Sequence, residues 1–181
     1  MKKLLYIATL SVAIFAINAC KSDTKATVDL TTTISNLEDS IFTKEGGIKP
    51  LQQENGRKLT TAYEEYAASG VADTVAIEAL NKAAAIAKNV TGSYAKSIQL
   101  LKQIYTDYPE SPRAADAEFL EAYTYANDLQ DYDTAQKLYM AFTKKHPNHP
   151  MFSTTVLELK NLGKTPEMMI EEFKKMNKEV K

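Results

Sequence analysis

The sequence predicts an all-α fold, a superhelix of about three stacked helix pairs followed by a C-terminal capping helix. Apolar residues recur at helical spacing between glycine and proline breaks, no segment sustains period-2 alternation, and part of the chain repeats after about 38 residues.

The chain opens on a targeting signal. Lys2 and Lys3 precede an uncharged, apolar stretch from Leu4 to Ile17, long enough for a signal-peptide core and short for a bilayer span. Residues 1–19 are therefore expected to be removed. Their loss leaves 162 residues, about one domain, and a formal charge of −3 with neutral histidines. Lys21 to about Thr33 is polar, threonine-rich and aperiodic, so residues 20–33 are expected to form a flexible tether, and residues 34–181 the helical domain.

Ile34, Leu37, Ile41 and Phe42 then mark a short amphipathic helix that Gly46-Gly47 stops. A second helix is expected from near Pro50 to Gly70, with Leu59, Ala62, Tyr63 and Tyr66 on one face. A third runs from about Thr74 to Asn89 and turns Leu80, Ala83, Ala84 and Ala87 inward. Gly92 breaks the chain, and Ser93 is placed to cap a fourth helix carrying Tyr94, Ile98, Leu101, Tyr105 and Tyr108. Near the C-terminus, Asn161-Leu162-Gly163 ends one helix and Thr165-Pro166-Glu167 starts another. On that last helix Met168, Met169, Phe173 and Met176 are expected to cover the final repeat.

The repetition fixes how these helices pair. Residues 94–112 align with residues 132–150, with four identities in nineteen positions where chance gives about one. Ser93 falls with Asp131, Pro109 with Pro147 and Pro112 with Pro150, so caps and breaks recur in register. Between these units Phe119, Ala122, Tyr123 and Ala126 answer Leu80, Ala83, Ala84 and Ala87. A fainter copy precedes them, Tyr63 and Tyr66 answering Leu101 and Ile104.

Phe119, Ala122, Ala126, Tyr132, Ala135, Tyr139, Phe142 and Pro147 resemble the signature positions of tetratricopeptide repeats (TPR), over roughly residues 55–162. Tyr123 stands in place of the usual glycine, and Ser97 in place of an alanine in the earlier unit. The long period resembles the variants found in outer-membrane assembly lipoproteins and periplasmic coordinators. Ile17-Asn18-Ala19-Cys20 resembles the lipobox of bacterial lipoproteins, which implies acylation of Cys20, the one cysteine of the chain. No later segment is long and apolar enough to span a membrane, so this anchor is the only membrane attachment expected.

Catalytic chemistry finds little support. His146 and His149 lie three apart around Pro147, Tyr108 and Ser111 hold the same places in the preceding unit, and metal binding is not expected. Glu64-Glu65 and Glu171-Glu172 point about 100° apart on a helix, as solvated faces do. No phosphate loop, nucleophile elbow or zinc-peptidase motif occurs, so no enzyme and no cofactor is expected. The absence of a concentrated basic face argues against nucleic acid, and the tyrosines fall mainly on buried stripes. Asp39-Ser40-Ile41, Asp73-Thr74-Val75 and Asp133-Thr134-Ala135 resemble bacterial O-glycosylation acceptors, although helix starts also gather such residues.

The resemblance implies an envelope adaptor, lipid-anchored on the outer membrane and facing the periplasm, that holds a protein partner in its groove. Glu78, Asn81, Lys88 and Asn89 of one unit and Leu120, Thr124, Asn127 and Asp128 of the next are expected to line that groove. Asn81, Lys88, Asn127 and Asp128 are expected to be exposed. The Lys/Asn arrangement with which some such domains clamp a C-terminal carboxylate is not reproduced. The alternative is a structural lipoprotein that self-associates or docks on cell-wall material.

Overall fold

The computed structural model describes residues 15–179, which form eight helices and no strand. These are α1 (Phe15–Ile41), α2 (Gln53–Ala68), α3 (Asp73–Asn89), α4 (Tyr94–Asp107), α5 (Pro112–Asn127), α6 (Tyr132–Lys145), α7 (Phe152–Asn161) and α8 (Pro166–Glu179). From α1 to α7 each helix packs on the next in sequence, the pattern of a tetratricopeptide-like solenoid. α1/α2, α3/α4 and α5/α6 are its three pairs.

Local chemistry sets the breaks. Gly70 and Gly92 end their segments at φ +80° and +68°, where an L side chain would be strained. The Ser111 hydroxyl accepts from Arg113 N–H with Pro112 at N1, and Asp131 accepts from Thr134 N–H at 3.1 Å. Ser93 differs from expectation: its side chain makes no capping bond, and its own N–H donates to Ala87 O at 2.8 Å. Gly56 marks a close approach of α2 to the end of α3. A Cβ there would lie 2.7 Å from Val90 Cγ1 and 2.8 Å from Thr91 Cγ2.

The core follows the repeat. One apolar cluster joins α1 to α4 through Ile41, Leu59, Leu80, Ala83, Leu100 and Ile104, and a second joins α5 to α7 around Phe119, Ala122, Ala135, Tyr139 and Phe142. Polar ties stitch the helices together: Tyr63 donates to Glu38, Lys96 meets Glu64 at 2.6 Å, and Tyr105 donates to Glu121 at 2.7 Å. Glu121 is almost fully buried and is also paired with Lys102 at 3.3 Å.

Two segments depart from expectation. α1 is helical from Phe15 and so includes residues 21–33. Its packed part begins where the periodicity places it, at Ile34. Before that, Thr31, Thr32 and Thr33 donate to Val28 O, Val28 O and Asp29 O, and Val28 is exposed, so local bonding rather than packing accompanies the helix there. Residues 1–14 of the expected signal segment, and the side chain of Cys20, lie outside the described residues.

α8 is the second. Thr165 caps it through Met168 N–H, and Lys164 pairs with Glu172 at 2.7 Å. Yet α8 is not packed along α7, and Met168 and Met169 remain exposed rather than covering the last repeat, while the side chains of Phe173 and Met176 lie outside the described residues. The repeat explains why. Ala115, Phe119 and Ala122, which receive α6, are replaced thirty-eight positions later by Ser153, Leu157 and Lys160. A lysine where Ala122 receives α6 opposes an equally close approach of a following helix.

Candidate partner-binding groove

α3 and α5 are the first helices of successive pairs, and the cleft between them is where the expected groove residues meet. Asn81, Lys88, Asn89, Leu120 and Thr124 border a cavity of about 190 Å³. Ala84 and Ala85 complete its wall, and Ser97 and Leu101 of α4 form its floor. Glu78 lines an adjoining cavity of about 320 Å³, together with Asn81, Leu120, Arg113, Asp116 and Met151. Since Asn81 and Leu120 belong to both, the two form one trough reaching the start of α7.

The polar groups of the trough are largely satisfied from within. Asn81 donates to Ile77 O at 3.1 Å, and the buried Thr124 hydroxyl to Leu120 O at 2.9 Å. Lys88 and Asp128 form an ion pair at 2.5 Å, with side chains only 22% and 20% exposed, and the lysine ammonium lies 5.3 Å from the Tyr123 ring centre. The expectation of open exposure thus holds for Asn127 and fails for Lys88, Asp128 and the half-buried Asn81. The helices approach closely enough that the two charges, forty residues apart in sequence, neutralise each other. Asn127 donates to Tyr123 O at the end of α5, and neither it nor Asp128 borders the cavities.

Ala85, Ser97, Arg113, Asp116 and Met151 were not expected from sequence to line the groove. Ala85 follows Asn81 by one helical turn, so the α3 stripe alone identifies it. Ser97 and Met151 become visible only when the packing of α4 and α7 against the first-helix row is known.

The histidines serve the scaffold. His146 Nε2 lies 3.0 Å from Glu118 Oε2, and His149 Nε2 lies 3.6 Å from Asp116 Oδ1, tying the α6–α7 turn to α5. Among the described residues no group of three or more His, Cys, Asp or Glu side chains is arranged to hold a metal ion. Thr74 and Thr134 stand in the first turns of α3 and α6, and Ser40 donates to Leu37 O near the end of α1.

A tetratricopeptide-repeat family model matches residues 116–149, from the second turn of α5 through α6 to the turn containing Pro147. No curated protein and no solved structure gives a match to the chain.

Proposed function

We propose that this repeat-bearing chain is a lipid-anchored adaptor of the bacterial cell envelope, which holds a protein partner in the trough between α3 and α5. The repeat at residues 116–149 is of a kind that binds proteins. The carrying observation is convergence: five of the eight groove residues named from sequence border one cavity, and a sixth borders its continuation. The proposed anchor is Cys20, acylated after removal of residues 1–19, and the proposed location is the periplasmic face of the outer membrane. The anchor rests on the N-terminal sequence, and the location on the resemblance of the long repeat period to outer-membrane assembly lipoproteins.

Photo-crosslinking in living cells tests the adaptor reading. A photoreactive residue replacing Leu120, in the trough, should capture a discrete protein. One replacing Met140, exposed on α6, should not. Capture from both positions, or from neither, removes the trough as the binding surface.

One feature favours a second reading, self-association. Met168, Met169 and Ile170 of α8 are exposed at 50%, 38% and 54%. On that reading a photoreactive residue replacing Met169 yields an adduct of twice the chain mass.

A further inference from the structure

The cavity floored by α4 contains a polar group that the fold leaves unused. Ser97 is only 2% exposed, yet it lines the cavity, and its hydroxyl makes no hydrogen bond among the described residues. Thr124 beside it is equally buried but satisfies its hydroxyl at Leu120 O. A hydroxyl that opens on an apolar cavity without a protein partner is free to bond a ligand, and at a position where this repeat resembles ones bearing alanine the fold does not require it.

The rest of the cavity states what would satisfy it. Ala84, Ala85, Leu101 and Leu120 make the walls apolar. About 190 Å³ is available, and an apolar cavity of about 150 Å³ suffices to hold a benzene ring. The one cation at the rim, Lys88, is neutralised by Asp128 at 2.5 Å. Among the residues that line this cavity no unpaired charge remains to hold an acidic or a basic tip. A flat apolar body with a neutral hydroxyl at its end fits shape, polarity and charge together.

We propose that this cavity seats a tyrosine side chain presented by the partner, the ring against Ala84, Ala85, Leu101 and Leu120 and the phenol hydroxyl bonded to Ser97 Oγ. The assignment rests on the trough as partner site and adds the chemistry of the anchor residue. The partner segment is then extended, so that one side chain drops between α3 and α5 while its backbone passes the amides of Asn81 and Asn89 at the rim.

p-Cresol and toluene, the tyrosine side chain with and without its hydroxyl, are the probes, and binding to the full chain is followed by ligand-detected NMR. p-Cresol should bind more tightly than toluene by roughly two- to tenfold, the worth of one neutral hydrogen bond. Ser97→Ala should abolish the preference while leaving toluene binding in place. Ala85→Phe, which projects a ring into the cavity from an exposed position, should displace both probes. Absence of binding, absence of a preference, a preference that survives in a folded Ser97→Ala, or binding indifferent to Ala85→Phe each overturns the assignment. The comparison of the two probes on the unmodified chain stands even if a variant fails to fold. The outcomes also separate this seat from the adaptor reading. Capture of a partner from position 120 without cresol binding removes the seat alone, whereas cresol binding without any captured partner removes the adaptor.

Discussion

Lys88, in the last turn of α3, and Asp128, the C-cap of α5, meet at 2.5 Å across the boundary between two repeat units. Asp128 Oδ2 is sheltered from solvent there. A charge reversal at both positions would rebuild the pair rather than strip the trough of charge. Lys88→Ala should destabilise the protein by about 1–3 kcal/mol, because it leaves a sheltered carboxylate unpaired. Lys88→Glu with Asp128→Lys should recover much of the loss. A double-mutant cycle on melting temperatures measures the coupling, and additive effects would mean that the charges act independently.

Ala135 is fully buried between α6 and α5, packed in the cluster of Phe119 and Ala122, whereas Ala141 on the same helix is exposed. Ala135→Leu should cost about 1–3 kcal/mol through overpacking. Ala141→Leu should change stability by less than about 0.5 kcal/mol. Equal unfolding midpoints in denaturant would contradict the repeat register.

Gly56→Ala is expected to destabilise the protein even though alanine favours helix. The new methyl would stand 2.7 Å from Val90 Cγ1, on a β-branched side chain with little freedom to turn away. The expected loss is about 1–3 kcal/mol, and a raised melting temperature would show that α2 and α3 separate easily.

Burial, first of all, raises the pKa values of Tyr63, Tyr105 and Tyr139 well above the usual tyrosine value. Hydrogen bonds to Glu38 and Glu121 add to this for the first two, and the charge of Glu158 for the third. A raised value means that the unfolded chain loses these protons first. Their stabilising contribution is thus complete below about pH 10 and is lost as pH rises beyond it toward the folded values. The melting temperature should fall through that range. Phenolate absorbance should show a group of tyrosines that ionise only as the helical signal disappears.

Cys20→Ala should abolish incorporation of labelled fatty acid and release the protein from membranes. Continued sedimentation with membranes after a high-salt wash would refute the anchor.

Much of the scaffold was legible because its helix limits are written in local chemistry. Gly70, Gly92, Pro112 and Asp131 stop or start helices by backbone geometry and capping, which spacing alone reveals. The α1 start was not legible, because residues 21–33 carry no apolar period and the threonine back-bonding seen there leaves no mark in a pattern of core positions. Six of the residues placed on the outward stripes of α3 and α5 border the trough, but the charge of Lys88 is paired rather than open to water. Helical periodicity places Lys88 and Asp128 on the outward stripe of each helix, and only the distance between the two helices decides whether they face water or each other. Ser97 shows the same limit. Its departure from alanine was visible, whereas the space above it depends on three helices at once.

Packing that is extensive only between successive helices, from α1·α2 to α6·α7, bears on how the chain reaches its native state. Every extended contact closes a short loop, so little chain entropy is lost before burial begins to compensate for it. Such low contact order places folding in the microsecond-to-millisecond range, well below the times of sandwich folds of similar size. α1 to α4 share one apolar cluster and can collapse before α7 has emerged from a ribosome or a translocation pore. A chain delivered from its N-terminus can thus acquire its core in order of arrival, without waiting for its last residues.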